Sequence, residues 1–227
     1  MSESTVRAVV FDCDGVLVEA QSSWGIIHDH FGTDSSDMLQ RFLRREITDA
    51  EFMADDIRRW KEVQPEIYRD DLFRCYSGAE LMSGARDLVS ALRSRGVSTI
   101  IVSAGVDLFV GAIASMLEVD DWAANGFQFD ESGLLLDDGI VRVPAHSKGD
   151  LIEKLCRIHS IAASDVVSVG DSSSDLSMMI DGSRFIGFSP ANDSSRQAFT
   201  TAGVPIVDGR DCRALWPALF DGEPFPA

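Results

Sequence analysis

Apolar residues in this chain fall into short consecutive runs, at 6–11 (VRAVVF), 97–103 (VSTIIVS), 166–169 (VVSV), 184–188 (RFIGF) and 204–207 (VPIV). Runs this short, apolar on successive positions, fit strands that are covered on both faces. Between most of them the spacing becomes helical. In "GARDLVSALRSRG", Ala85, Leu88, Val89 and Leu92 share one face and Gly96 supplies a stop. "SKGDLIEKLCRIH" repeats the arrangement with Leu151, Ile152, Leu155 and Ile158. Strand alternating with helix predicts an α/β fold on a largely parallel sheet with right-handed crossovers.

Two stretches break this rhythm. From about 22 to 82 the pattern is helical throughout, in "SSWGIIHDHFG", "SDMLQRFLRRE" and "TDAEFMADDIRRWKEV", with Ser22 and Thr48 as expected N-caps. A helical insert after the first strand predicts a small cap over the carboxyl edge of the sheet, where ligands bind in open α/β folds. The second stretch, "FQFDESGLLLDDGIVRV", reads as a β-hairpin turning at Glu131-Ser132-Gly133. The final "DGEPFPA" is expected to fray.

With 227 residues and 45% hydrophobic content, the chain can bury a substantial core. No apolar run approaches a membrane span, and the opening apolar run reads as the first strand rather than a secretion signal. A cytoplasmic protein is expected. A net charge of −17 disfavours nucleic acid and anionic membrane as partners. The charge is skewed, with 17 Arg against 3 Lys and 26 Asp against 11 Glu, a composition that resembles adaptation to high salt. It also makes each lysine a candidate for a specific task. The four cysteines form no CxxC pair, which speaks against structural zinc and a disulfide framework.

Candidate chemistry collects at strand ends. Asp12 and Asp14 follow the first apolar run, Ser103 and the small pair Ala104-Gly105 end the second, and Asp171 and Asp175 follow "VVSVG". Lys148 heads a helix. In a parallel sheet these ends lie side by side, so residues distant in sequence converge on one crevice. Carboxylates without histidine or thiol partners favour a hard, oxygen-seeking cation, Mg²⁺ rather than zinc. Lysine, a serine hydroxyl and exposed N–H groups suit phosphoryl oxygens. One carboxylate can then serve as nucleophile and a second as general acid/base, the latter requiring a raised pKa. Taken singly, each of these residues also reads as a turn, a cap or a solvated helix start. Cys13 is expected to pack in the core, and His28, His30, His146 and His159 to be structural or surface groups, with His146 near enough to Lys148 to reach the crevice mouth. Phe31 and Phe42 read as core of the insert. Trp24 reads the same way, or as a residue facing the substrate.

"DCDG" after a strand, Ser103 after the second, Lys148, and "GDSSSD" after a later strand resemble, in order, the four motifs of the haloacid dehalogenase-like (HAD) hydrolase superfamily. The insert, "IIVSAG" and "SKGDLIEKL" resemble its phosphoserine phosphatase-like branch, closest to archaeal phosphatase-like members of uncertain substrate. The resemblance implies a Rossmann-like, mostly parallel three-layer core from 1–20 and 80–227, with a small helical cap at 21–79. It also implies Mg²⁺, an aspartyl-phosphate intermediate and a small-molecule phosphate ester as substrate. By motif, Asp12 would be nucleophile and metal ligand, and Asp14 acid/base and ligand through its carbonyl. Ser103, the Ala104 N–H and Lys148 would hold the phosphoryl group. Asp171 would bind the metal, and Asp175 would stand as an outer ligand or position Lys148. The branch usually carries a glutamate nine residues after the nucleophile and a cap arginine. Here Gln21 occupies the first position, with Glu19 two residues before it, and Asp56 falls near the second, followed by Arg58 and Arg59. Glu19, Gln21 and Trp24 are therefore the specificity candidates. A phosphotransferase or phosphomutase using the same intermediate, and a catalytically idle regulatory protein on the same fold, are the alternative readings. Oligomeric state is not legible in the sequence.

Overall fold

The computed structural model describes residues 5–226. It begins with β1 (Ala8–Phe11), followed by four helices: α1 (Ser23–Phe31), α2 (Ser36–Leu43), α3 (Asp49–Val63) and α4 (Arg69–Cys75). Next come α5 (Ala85–Ser94), β2 (Ser98–Val106), α6 (Asp107–Leu117), β3 (Asp121–Phe129) and β4 (Leu135–Ile140). The chain then continues through α7 (Lys148–His159), β5 (Val166–Gly170), β6 (Arg184–Phe188), α8 (Asp193–Ala202), β7 (Ile206–Val207) and α9 (Trp216–Leu219).

The strands form one sheet in the order β4-β3-β2-β1-β5-β6-β7, parallel except for β4. From β1 the chain winds outward through β2 and β3, then returns to the other side of β1 for β5, β6 and β7. The winding direction reverses at β1, so the crevice beyond the carboxyl ends of β2, β1 and β5 is the topological switch point. Alternation along β1 explains the three layers. Val9 and Phe11 pack with Leu88, Leu92 and Val110 on one face, while Ala8 and Val10 pack with Ile152, Leu155 and Phe199 on the other. This is the Rossmann-like α/β sandwich that the alternating pattern and the motif resemblance imply.

The helical segment also follows its local signals. Ser22 caps α1, its Oγ accepting from the Gly25 N–H at 3.1 Å. Thr48 and Glu51 close a reciprocal capping box on α3. Ile27, Phe31, Ile57 and Trp60 join the same apolar cluster as Val9 and Phe11, so the insert shares one continuous core with that face of the sheet. It reaches the carboxyl end of β2 through Trp24, whose indole N–H donates to the Ala104 carbonyl at 3.0 Å.

Two local expectations need correction. The hairpin turns where expected, with Asp130 Oδ1 accepting the Ser132 and Leu134 N–H groups. Its first arm, however, starts back at Asp121 and pairs parallel with β2, from Ile100↔Asp121 to Ser103↔Ala124. "WAANG" lacks β-branched residues and is a strand because of its neighbour, a tertiary override of weak propensity. The tail, expected to fray, is anchored: Glu223 pairs with Arg95, and the Phe225 ring stands 5.5 Å from that of Trp216. Ala227, the last residue of that expectation, lies outside the described residues. Among the described residues, no helix is long and apolar enough to cross a membrane.

Candidate active site

Register sets the site. Phe11 lies opposite Ile101 of β2 and Val169 of β5, and the Asp12 N–H donates to the Val169 carbonyl at 2.9 Å. Asp12 therefore stands one residue beyond the last paired position of β1, with Ser103 two residues past Ile101 and Asp171 two residues past Val169. The chain then turns tightly, the Cys13 carbonyl accepting from Leu17 at 2.9 Å. Gly15 holds a left-handed φ of 70°, where a Cβ would lie 2.2 Å from Asp171 Oδ2. Only glycine permits both that backbone and that approach. The side-chain amide of Gln21 stands over the same spot, its nitrogen 3.1 Å from the same point. Cys13 itself is fully buried in the apolar cluster.

Asp14 is held from the insert. Its Oδ2 accepts from the Ser23 N–H at 2.6 Å and the Ser23 hydroxyl at 2.7 Å, while Oδ1 is buried without a hydrogen-bond partner. Ser23 Oγ in turn accepts from the Val106 N–H at 3.0 Å, tying α1 to the end of β2. Nothing in the sequence marks Ser23 apart from other residues that open helices. Its role arises because the first N–H groups of a helix lack internal partners and this helix start meets a carboxylate.

Lys148 is 2% exposed and bridges two acids. Its Nζ hydrogen-bonds Asp175 Oδ1 at 2.7 Å and stands 3.1 Å from Asp12 Oδ1, within ion-pair distance but without hydrogen-bond alignment. The other oxygen of Asp175 accepts from the N–H groups of Asp171 (3.1 Å) and Ser172 (2.9 Å) and from the Ser172 hydroxyl (2.9 Å). With both oxygens engaged, Asp175 fixes the loop after β5 and the lysine together. Ser103 is 1% exposed, and its Oγ accepts from the Gly105 N–H at 3.1 Å.

Burial and like charge dominate the electrostatics of the crevice. Burial pushes the Asp12 carboxyl up to about 7, opposed by Lys148 and reinforced by Asp175 and Asp14. Burial with Asp175 and Asp12 pushes Asp171 to about 9. Asp14 is raised by burial against the lowering pull of the Ser23 hydrogen bonds. Burial alone would depress Lys148, but Asp12 and Asp175 outweigh it and hold the ammonium above its ordinary value. Asp12, Asp171 and Asp175 each offer an oxygen within 4.8 Å of the others. An all-carboxylate set, with Asp12 Oδ1 buried and without a hydrogen-bond partner, fits a hard divalent cation.

The sequence candidates thus separate. Asp12, Asp14, Ser103, Lys148, Asp171 and Asp175 meet in one crevice, each no more than 9% exposed. Ala104 and Trp24 border a neighbouring cavity of about 390 Å³. Trp24 lines that cavity and stacks on Trp60 with ring centroids 6.1 Å apart. Glu19 pairs with Arg210 and lines a different hollow beside Ala20 and Cys75. Two histidines find carboxylates that sequence spacing hid, His28 with Asp56 at 3.0 Å and His159 with Asp121 at 2.8 Å. His146 stacks on Phe42 instead, centroids 5.1 Å apart.

Sheet order, switch point and clustered groups define a Rossmann-like α/β protein with an acidic, lysine-bearing crevice. Residues 6–182 match the family model for haloacid dehalogenase-like hydrolase, and the chain belongs to that family. A phosphoserine phosphatase of Archaeoglobus fulgidus is 29% identical over 177 residues, covering 76% of this chain and 49% of that protein. One from Methanocaldococcus jannaschii is 33% identical over 95 residues, 42% of this chain and 45% of its own length. The matches thus take in about half the length of these two relatives. A solved structure described as a phospho-aspartyl intermediate analogue of phosphoserine phosphatase superposes with a TM-score of 0.78 at 21% identity, covering 95% of this chain and 99% of that one. At that identity the likeness speaks for the fold.

Proposed function

We propose that the protein is a Mg²⁺-dependent phosphatase that hydrolyses a small phosphomonoester through an aspartyl-phosphate on Asp12. The observation that carries this reading is the placement of Asp12 against a buried lysine, with Asp14 and Asp171 in the same crevice. Residues 21–79 act as the cap, and 1–20 with 80–227 as the core.

Asp12 attacks phosphorus as its carboxylate. Lys148, oriented by Asp175, and the Ser103 hydroxyl hold the non-bridging oxygens, and their charge and dipole favour the transition state. Asp14 donates a proton to the leaving oxygen through Oδ1, the oxygen that Ser23 leaves free. The same oxygen later takes a proton from the water that opens the acyl phosphate. When bound, Mg²⁺ would be held by Asp12, Asp171 and the Asp14 carbonyl and would supply the charge that lets a carboxylate and a phosphate dianion approach. The α1 segment closes the crevice through Trp24 and Ser23, limiting water around the reacting groups.

Hydrolysis of 4-nitrophenyl phosphate in the presence of Mg²⁺ tests the reading. Asp12→Asn should lower kcat/KM by about three orders of magnitude or more, since the nucleophile is removed. Chelation should abolish turnover and added Mg²⁺ restore it. Full activity in Asp12→Asn would sink the mechanism, and release of the phosphoryl group to an added alcohol in preference to water would make the enzyme a phosphotransferase.

A further inference from the structure

The cavity bordered by Ala104, one residue past Ser103, is lined mainly by the insert and carries no lysine or arginine among its lining residues. Its apolar wall includes Trp24, Phe42, Phe52 and Met53. Its charged lining is acidic, with the carboxylates of Asp49 and the buried Asp56 alongside Asp29 and Asp34 nearer solvent. Arg59, on the same helix as Asp56, is occupied elsewhere: it pairs with Asp55 and Asp37 and donates to the Asp34 carbonyl. Arg58 pairs with Asp55 and Glu62.

His28 does not supply the missing cation. The Trp60 indole N–H, which can only donate, points at His28 Nδ1 at 3.2 Å, so Nδ1 must accept. The Thr33 hydroxyl also meets Nδ1, at 2.7 Å, and can donate to it. The hydrogen-bond network therefore assigns the single ring proton to Nε2, which hydrogen-bonds the Ser35 hydroxyl at 3.1 Å and stands 3.0 Å from Asp56 Oδ1, within ion-pair distance but without hydrogen-bond alignment. With Nδ1 accepting, the ring brings no cation to the cavity, and burial raises the Asp56 carboxyl against the lowering pull of His28 and Ser35.

We propose that this cavity takes the alcohol portion of the substrate, and that it selects an alcohol with an apolar body and a positive charge while rejecting one that carries a carboxylate. The inference rests on the phosphatase reading and adds its substrate class: a cationic, carboxylate-free phosphomonoester. A leaving-group carboxylate would enter an acidic cavity with no cationic partner, whereas an ammonium gains Asp56 and Asp49 as counter-charges and the Trp24 face as a cation–π surface.

Three phosphomonoesters of similar shape test it: 4-ethylbenzyl phosphate as the neutral one, 4-(aminomethyl)benzyl phosphate and 4-carboxybenzyl phosphate. The expected order of kcat/KM is amine over neutral by about tenfold, and neutral over carboxylate by about tenfold or more, as expected for one unit charge near partly screened carboxylates. In Asp56→Asn the amine-to-neutral ratio should fall by at least about threefold. That ratio is insensitive to any loss of folded enzyme, which scales both rates equally. Turnover that depends on Asp12 but is equal for the three esters, or favours the carboxylate, overturns this inference and leaves the phosphatase standing. Absence of Asp12-dependent turnover with all three overturns both.

Discussion

Asp14 shows how one side chain is divided between two tasks. Ser23 occupies Oδ2 with a backbone N–H and a hydroxyl, and burial leaves Oδ1 as the oxygen that can exchange a proton. Ser23 is thus a positioning residue that acts through Asp14. In Ser23→Ala the hydroxyl contact to Asp14 and the acceptor for the Val106 N–H are both lost. Losing a hydrogen bond to a charged group costs about 1.5–3 kcal/mol, so a drop of roughly 10- to 100-fold in turnover is expected wherever protonation of the leaving group limits the rate. The split between substrates is the test. An alkyl phosphate, whose leaving alkoxide needs the proton, should slow in full, while 4-nitrophenyl phosphate, whose phenolate leaves unaided, should slow little. Equal slowing of both would mean that Ser23 only supports the fold.

At the scale of elements, α3 joins local signals to the cavity. Its capping box is closed at Thr48 and Glu51, and its body carries Phe52, Met53 and Asp56 to the cavity wall. The Thr48 backbone N–H and hydroxyl hold the Glu51 carboxyl below its ordinary value. A depressed carboxyl stabilises the fold above its unfolded pKa, and the benefit fades as pH falls through the folded one. Thr48→Ala should therefore lower Tm by about 2–4 °C near neutrality, the effect of one lost cap in a chain of this size. The gap to the parent protein should narrow in acid, and a gap that widens below pH 4 would refute the account. This helix was legible in sequence as cap and period, as were the strand ends bearing Asp12, Ser103 and Asp171, because each is a short apolar run broken by a small or acidic residue. Asp56 was not, since in "MADDIRRW" it reads as one more acid on a polar face. Its burial depends on His28, which comes from another helix. β3 was hidden for the same kind of reason, its first residues owing their strand conformation to β2. What the chain states locally can be read, and what one element imposes on another cannot.

The whole molecule carries a net charge of −17, and at that scale the acids outnumber what its 17 arginines and 3 lysines can neutralise. Many of the arginines are spent in exposed pairs such as Arg95–Glu223, Arg93–Glu118 and Arg196–Asp208. Pairs of that kind contribute little each, so their loss on screening is small. The unpaired excess is another matter. Like charges spread over one compact surface repel more than in an expanded chain, which destabilises the folded state and is relieved by salt. At about 0.1 M salt the screening length is about 10 Å, and at 1 M about 3 Å, shorter than most separations between surface carboxylates. The two effects oppose each other, and the imbalance of charge decides in favour of repulsion. Raising KCl from about 0.05 M to about 1 M should therefore raise Tm by about 5 °C or more, since each kcal/mol recovered is worth about 2–4 °C in a chain of this size. Chloride is the salt to use, because sulfate stabilises proteins by exclusion from their surface whatever their charge. The rise should level off once the screening length falls below the spacing of the acids. A Tm that falls with KCl would mean that the surface ion pairs outweigh the excess negative charge, and would remove the physical basis for reading this composition as suited to high salt.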